Sequence, residues 1–86
     1  LNGDVRNIRN LMTVNADIAE FTARPGSRIT RKKVRDLDFP PEAELGGLVR
    51  DGKGLLVNGE TQIQPGDIVV VFCHGTDISR IEKYFI

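Results

Sequence analysis

In the stretch 48–72, three apolar runs alternate with three turn signals. Asp51-Gly52 and Asn58-Gly59 are dipeptides typical of two-residue hairpin turns, in which both positions need a positive φ. Pro65-Gly66 suits the two central positions of a type II turn. The run 68–72 then holds five consecutive apolar residues. It predicts a central strand that is covered on both faces.

Two more segments predict strands. The segment 16–24 alternates, and one of its faces carries three apolar residues: Ala19, Phe21 and Ala23. The segment 43–50 predicts a strand with Leu45 and Val49 on the same side, which pairs through Asp51-Gly52 with 53–57. Gly46-Gly47 inside this strand predicts a β-bulge or a close backbone approach.

Two segments predict helices. In 27–38, Ser27 or Thr30 is the N-cap, and Pro40-Pro41 ends the helix. Its buried stripe consists of Thr30, Val34 and Leu37. The segment 76–86 closes the chain, with Thr76 or Asp77 as its cap. Its core-facing residues are Ile78, Ile81 and Phe85. The order of elements predicts an α+β fold, with a small mixed β-sheet of four to five short strands and two helices on one face.

The chain has 86 residues and begins at Leu1 rather than Met. We therefore expect a piece of a longer protein, with 1–13 as a linker or the tail of a preceding domain and 14–86 as one domain. Apolar residues in the first segment are spaced like one face of a helix: Val5, Ile8, Leu11 and Met12.

A domain of this size has a thin margin of stability, which a dimer interface would increase. Its apolar positions include residues that cannot all point into one small core: Ile29, Leu48, Leu55 and Leu56. The sequence therefore predicts a homodimer.

The charge balance and the cysteine content argue against several classes of function. Lys plus Arg equals Asp plus Glu, at 12 each, and zero net charge argues against a dedicated nucleic-acid binder. The sequence has one cysteine, Cys73, which excludes an internal disulfide. Cys73 and His74 lack further ligands at metal spacing, so we expect a buried thiol, an exposed imidazole and no metal. No nucleophile–base pair, paired carboxylates or nucleotide-binding glycine motif is visible, so we expect no enzyme activity and no cofactor in this segment.

Five cations crowd the start of the first predicted helix: Arg28, Arg31, Lys32, Lys33 and Arg35. Each opposes the helix dipole, at a cost of about 0.3 kcal/mol or more. The simpler interpretation is a solvated surface. The alternative is an anion site, in which helix N–H groups and guanidinium groups hold a phosphate. The candidate ligand-binding residues are Arg28, Ile29, Lys32 and Arg35.

Several segments in order resemble one family, over about residues 16–86. Residues 31–37 resemble the G-K-x-L-x-x-L helix of the TrkA-C domain, the C-terminal half of the RCK regulators of potassium transport. Residues 46–52 resemble its strand and hairpin, and 59–67 resemble its G-D-T-x-L-x-x-G-D pattern. Residues 68–78 resemble its last strand and helix start. Arg31 stands where the family usually has Gly, and Glu60 where it has Asp.

The resemblance implies a dimerising, ligand-sensing domain of a cytoplasmic regulator, peripheral at the inner face of the membrane. In such a protein, an N-terminal Rossmann domain binds NAD or ATP, and the partner is a membrane potassium channel or transporter subunit. Some relatives bind cyclic di-AMP across a dimer interface, so the resemblance implies cyclic di-AMP or another small anionic effector. The same domain also serves other cation transporters and antiporters.

A second interpretation comes from another class. Residues 49–59 followed by 65–68 also resemble the tail of an S4-type RNA-binding domain. That domain needs two consecutive helices with a basic face before Val49, where this chain has Pro40-Pro41 and Gly46-Gly47.

Overall fold

The computed structural model describes residues 12–15, 17–75 and 77–86, with 12–15 as backbone only. Five β-strands form one antiparallel sheet in the order β1-β2-β5-β3-β4. The strands are β1 (Met12–Asn15), β2 (Ile18–Thr22), β3 (Ala43–Arg50), β4 (Lys53–Leu56) and β5 (Ile68–Cys73). One short α-helix, α1 (Ile78–Glu82), and two single-turn 3-10 helices, Arg28–Thr30 and Val34–Asp36, complete the described part.

The N-terminal helical pattern lies almost entirely outside the described residues. Only its last member, Met12, falls within them, and it begins β1, which pairs with β2. The two residues Met12 and Thr13 therefore belong to the sheet.

The predicted mixed sheet is wrong, because every pairing between neighbouring strands is antiparallel. The reason lies in the position of β5, which inserts between β2 and β3. Those two strands run parallel to each other, but each is bonded to β5 and neither to the other. The long connection between them therefore creates no parallel ladder.

The strand β5 is central, as predicted, but only one of its faces is covered. Val69, Val71 and Cys73 are buried among the core residues. Phe21 of β2 stacks on Phe85 over the same face, with ring centroids 4.7 Å apart. On the other face, Phe72 is 37% exposed. The prediction of a strand covered on both faces is therefore wrong for this chain.

The Gly46-Gly47 pair forms the predicted β-bulge. Leu45 lies opposite Val71, and the next paired residue is Gly47, opposite Val70. The extra residue reverses the alternation of side chains along β3. Leu48, rather than Val49, consequently faces the core and is 2% exposed. The prediction that Leu45 and Val49 share a side is therefore wrong.

Two of the three predicted turns have the expected backbone. Asp51 and Gly52 have φ of 53° and 78°, the pattern of a type I′ hairpin between β3 and β4. Gly66 has φ of 91°, as the third position of a type II turn requires. Asn58 has no positive φ, and its side chain instead accepts a hydrogen bond from Glu60 N at 2.8 Å. Thr61 N also donates to Asn58 O at 3.1 Å, so residues 58–61 form a β-turn supported by the Asn58 side chain and not a two-residue hairpin.

The helix predicted over 27–38 is wrong. Its backbone bonds to other segments: Val34 N donates to Thr61 O at 2.9 Å, and Arg35 N donates to Gly59 O at 3.0 Å. Lys33 between the two 3-10 turns is extended, with φ −61° and ψ 152°. These bonds to the 59–61 loop replace the i to i−4 bonds of an α-helix. Val34 and Leu37 still pack against the core, but not as one helical stripe.

The closing helix is confirmed in a shorter form. Asp77 caps α1, accepting a hydrogen bond from Ser79 N at 3.0 Å, while Thr76 lies outside the described residues. Ile81 and Phe85 are fully buried, as predicted, and Ile78 packs against the core. The helix and the 3-10 turns lie on the same face of the sheet as the core residues.

Four apolar residues were predicted not to fit together in one small core, and in the structure they divide into two pairs. Ile29 and Leu48 are accommodated in the core, at 0% and 2% exposure. Leu55 and Leu56 on β4 remain exposed, and Leu56 is 89% exposed. The prediction that these four residues cannot all point into one core is therefore confirmed.

Candidate functional site

A small basic pocket lies where the first 3-10 turn meets the end of the closing helix. Its volume is about 190 Å³. Its lining is Arg28, Arg31, Lys32, Leu37, Asp38 and Tyr84. The two segments are joined by a backbone hydrogen bond of 2.9 Å from Ile29 N to Tyr84 O. Three cations are thus placed around one depression, which we call the basic pocket.

Tyr84 fixes the position of Arg28. The guanidinium carbon of Arg28 lies 4.1 Å from the centroid of the Tyr84 ring, in a cation–π contact. The ring is itself held, because Tyr84 Oη donates to Asp38 O at 2.5 Å and Phe39 contacts its edge, with ring centroids 4.9 Å apart. Arg28 is therefore oriented at the pocket before any ligand arrives.

The other two cations of the basic pocket, Arg31 and Lys32, differ in their hydrogen-bond partners. Arg31 donates from Nη2 and Nε to Gly26 O, at 2.9 and 3.2 Å. Lys32 is exposed, and within the described residues its ammonium group has no carboxylate partner. A carbonyl oxygen neutralises no charge, so both side chains keep a full positive charge for an anion.

The remaining two candidate residues lie elsewhere. Ile29 is fully buried in the core. Arg35 is turned to Glu60, which also binds Lys33 at 3.0 Å. Of the four residues named from the sequence, the structure therefore brings Arg28 and Lys32 together, and it adds Arg31.

Backbone N–H groups contribute less to anion binding at the basic pocket than the sequence suggested. The anion-site hypothesis relied on free N–H groups at a helix start, and no α-helix begins here. The N–H groups of Ile29, Thr30 and Arg31 are each bonded to a carbonyl oxygen. These three N–H groups are therefore not available to an anion, and the cationic side chains are the main groups that the pocket offers to one.

An apolar cleft adjoins the basic pocket and shares Leu37 with it. Its volume is about 350 Å³, and it lies between the 34–41 segment, the start of β3 and the 57–59 segment that follows β4. Its apolar walls include Val34, Leu37, Phe39, Leu45 and Val57. Polar atoms enter from Glu44 and Asn58. Together the two depressions offer a cationic end and an apolar end.

Sequence reasoning missed Tyr84 and the apolar cleft. Tyr84 follows the closing helix α1, 56 positions from Arg28, and no local pattern links the two. Glu60 could have been predicted to bind a cation, because it is the acidic residue of the turn after β4. In the structure, two of the clustered cations, Lys33 and Arg35, form ion pairs with it.

The two residues that suggested a metal or a nucleophile behave as predicted. Cys73 is buried and His74 is exposed. Burial, with a smaller contribution from the charge of Asp17, raises the pKa of the Cys73 thiol, which disfavours the reactive thiolate. In the described part of the chain, no group of three side chains is arranged to hold a metal ion. No helix there is long and apolar enough to cross a bilayer.

Comparison with known protein families identifies the family of this domain. The model of the TrkA-C domain matches residues 18–86, which is most of the chain. The chain belongs to the TrkA-C domain family. The match begins at the first residue of β2 and includes both the basic pocket and the apolar cleft.

Curated relatives carry one name. The chain is 35% identical over 83 residues to "Trk system potassium uptake protein TrkA homolog 1" of Methanosarcina mazei, covering 93% of this chain. It is 29% identical over 83 residues to "Trk system potassium uptake protein TrkA" of Azorhizobium caulinodans, covering 96% of this chain. It spans only 18% of the length of either relative.

A solved structure has the same fold. The chain described as "Structure of RCK domain with cda" superposes with a TM-score of 0.71 at 14% sequence identity. The superposition covers 83% of this chain and all of that one. The TrkA-C domain described here therefore has the fold of an RCK domain.

Proposed function

We propose that this TrkA-C domain is the C-terminal regulatory, dimerising and ligand-sensing part of a cytoplasmic regulator of potassium transport. The family match and the names of the relatives support this role. The complete regulator acts at the inner face of the membrane on a potassium channel or transporter subunit. It binds NAD or ATP in a separate N-terminal Rossmann domain, and this domain needs no cofactor of its own.

One observation carries the ligand-sensing part: the basic pocket and the apolar cleft meet at Leu37. A nucleotide has the matching pair of ends, an anionic phosphate and a flat, weakly polar base. Arg28, Arg31 and Lys32 supply cations for the phosphate. The cleft, with Phe39 and the polar atoms of Asn58, suits the base, because ligand sites are mostly apolar with a few oriented polar groups.

Cyclic di-AMP is the nucleotide that the family resemblance favours. It has two phosphates and two bases, and a two-fold dimer of this domain would offer two basic pockets and two clefts. The solved structure with the same fold is described as an RCK domain with cda. Other small anionic effectors remain alternatives, and they are distinguished by the experiment below.

A catalytic role and an RNA-binding role have less support. The residues that line the basic pocket include Asp38 but no serine, cysteine or histidine that could act as a nucleophile or base beside it. The S4-type alternative needs two consecutive helices before Val49. The structure has single 3-10 turns and the strand β3 in that place. We therefore propose neither enzyme activity nor a nucleic-acid partner.

Isothermal titration calorimetry with cyclic di-AMP tests the site. The variants are the double substitution Arg28→Ala, Lys32→Ala and the control Lys53→Ala, which removes an exposed cation from β4, away from the pocket. We expect binding by the native chain and the control, and at least tenfold weaker binding by the double variant. Loss of charge-assisted hydrogen bonds costs about 1.5–3 kcal/mol each, which exceeds that factor.

Three results would contradict parts of this proposal. No heat from the native chain at high ligand concentration removes cyclic di-AMP, and the same titration with AMP and ATP then tests other anionic nucleotides. Equal binding by the native chain and the double variant removes the basic pocket as the phosphate site. Equal weakening by the double variant and the Lys53→Ala control shows that only overall charge matters.

The identity of the transported ion is a separate question. The same domain type serves other cation transporters and antiporters, so potassium is proposed from the names of the relatives. Uptake of rubidium, as a potassium analogue, against sodium by cells that express the complete regulator decides between them.

A further inference from the structure

The fold divides the five cations of the 28–35 segment between two sets of contacts. Three of them line the basic pocket. The other two, Lys33 and Arg35, both bind Glu60. Lys33 Nζ lies 3.0 Å from Glu60 Oε1, and Arg35 Nη1 lies 2.5 Å from Glu60 Oε2. Each carboxylate oxygen therefore holds one cation, and one acidic side chain engages two of the five cations.

These two ion pairs contribute little to holding the chain in place. The side chains of Lys33, Arg35 and Glu60 are 45%, 57% and 60% exposed, and ion pairs in contact with water add little stability. The 59–61 loop is already bound through its backbone, whose carbonyl oxygens accept hydrogen bonds from Val34 N and Arg35 N, at 2.9 and 3.0 Å. The main effect of the Glu60 carboxylate is therefore on the charge of its surroundings.

Lys33 stands directly beside the basic pocket. It follows Lys32, which lines the pocket, so the two Cα atoms are about 3.8 Å apart. The Lys33 side chain is a flexible four-carbon stem, and an ammonium group that Glu60 does not hold is free to turn toward an anion in the pocket. Even without contact, charges within about 8–10 Å of each other interact at physiological salt. Glu60 therefore changes the electric field that a bound anion experiences.

The charges around the pocket show how much Glu60 withholds. The lining has three cations and one carboxylate, that of Asp38, which leaves a net charge of two positive. Outside the lining, Lys33 and Arg35 face Glu60 and also Asp36, whose Oδ2 lies 3.9 Å from Arg35 Nε. Two carboxylates thus balance these two cations, which add no net charge to the pocket.

Phosphate groups of different kinds bring different charges to such a site. A phosphodiester carries about one negative charge, whereas a phosphomonoester carries about 1.5–2 at pH 7, and a triphosphate carries more. We infer that Glu60 determines the ligand class of the basic pocket: it withholds Lys33 and Arg35, and the pocket therefore favours phosphodiesters over polyphosphates. This inference rests on the proposed effector site and names the residue that sets its selectivity.

Three substitutions separate the charge of Glu60 from its place in the loop. Glu60→Gln keeps the length of the side chain and one acceptor oxygen but removes the charge. Glu60→Asp keeps the charge. Asp51→Asn is the matched control, because it removes one negative charge from an exposed residue outside the pocket lining, and Asn-Gly suits the same hairpin turn.

Isothermal titration calorimetry of the 86-residue chain, with cyclic di-AMP and magnesium-free ATP as probes, measures the selectivity. We expect the native chain to prefer cyclic di-AMP. Glu60→Gln should tighten ATP binding about fivefold or more and cyclic di-AMP binding less than about threefold, because the gain grows with the charge of the anion. Added salt should reduce the gain for ATP, which a purely structural role of Glu60 would not produce. Glu60→Asp and Asp51→Asn should keep the native ratio of the two dissociation constants within about twofold.

The outcomes distinguish this inference from the proposed function. Equal changes for both probes in Glu60→Gln, or a shift of the ratio as large in Asp51→Asn, would overturn the role of Glu60 while the effector site stands. Binding of neither probe by the native chain or by Glu60→Gln would overturn both. Binding of ATP by Glu60→Gln alone would support the role of Glu60 and remove cyclic di-AMP from the proposed function.

Discussion

Arg50 at the end of β3 forms a two-point ion pair with Asp67, at the start of the central strand. Arg50 Nε donates to Asp67 Oδ1 at 2.9 Å, and Nη2 donates to Oδ2 at 2.7 Å. Asp67 is 1% exposed and also accepts a hydrogen bond from Gln64 N at 2.8 Å. The hydrogen bond to Asp67 raises the pKa of Arg50 above its ordinary value. The pair thus ties the β3–β4 hairpin to the Pro65-Gly66 turn.

Replacing Asp67 with Asn should destabilise the domain by about 1–3 kcal/mol, because the pair loses its negative charge and the amide NH2 group takes the place of one of the two oxygens. If the remaining oxygen accepts from Arg50 Nη2 and Gln64 N, the NH2 group faces Arg50 Nε, donor against donor. Chemical denaturation measures the change. Glu60→Gln is the control, since Glu60 binds Lys33 in an exposed pair, which is worth about 0–1 kcal/mol. Equal losses in the two variants would show that the Asp67 pair has no special weight.

Replacing Gly52 with Val should cost about 1–2 kcal/mol, because φ of 78° forces a β-branched residue into the left-handed region. No atom lies within 4 Å of a Cβ at this position, so the cost comes from the backbone alone. The midpoint of thermal unfolding measures this loss of stability. Lys53→Val, at the neighbouring exposed strand position, should be tolerated. An unchanged midpoint for Gly52→Val would contradict the type I′ turn.

Replacing Gly46 with Ala should cost about 1–2 kcal/mol, because the Phe72 ring must leave its place against the bulge. The ring is half-exposed and able to rotate away, so the cost stays moderate. The test is a double-mutant cycle: in a Phe72→Ala background, Gly46→Ala should cost close to nothing. The same cost in both backgrounds would mean that the bulge backbone, rather than the ring, requires glycine.

Acid should weaken the cap of the closing helix. The Ser79 hydroxyl and N–H groups donate to Asp77 and hold the pKa of that carboxyl below its ordinary value. A lowered folded pKa contributes stability above the unfolded value, near pH 4, and this stability is lost as pH falls through the folded value. Asp77→Asn keeps the acceptor without the titration. Its unfolding free energy should therefore fall less than that of the native chain between about pH 5 and pH 2. Parallel pH profiles would contradict the assignment.

The local features of this fold could be predicted from the sequence, because local chemistry decides them. Asp51-Gly52 forms its hairpin, and 43–50 forms a strand with those bounds. The capping of α1 by Asp77 likewise depends on residues that are neighbours in the chain.

The errors arose where distant segments decide the structure. The 27–38 segment has helical spacing, yet its N–H groups bond to the 59–61 loop, and this tertiary contact overrides the pattern. The choice of Leu48 over Val49 for the core depends on which of two glycines carries the bulge, and composition alone does not determine that.

The candidate site was only partly visible for the same reason. The cations at Arg28 and Lys32 were evident as a cluster, but the ring that orients Arg28 belongs to Tyr84, at the other end of the domain. The apolar cleft is formed by segments that the sequence assigned to separate elements. The sequence thus indicated the charge of the site but not its shape.

The central claim is that this domain regulates potassium uptake through the basic pocket. The most direct measurement is the initial rate of rubidium uptake in cells that lack other potassium uptake systems and carry the complete regulator with its membrane partner. We expect Arg28→Ala with Lys32→Ala to change the response of that rate to cyclic di-AMP, while Lys53→Ala leaves it as in the native protein. An uptake rate that stays the same when residues 18–86 are deleted would contradict the account.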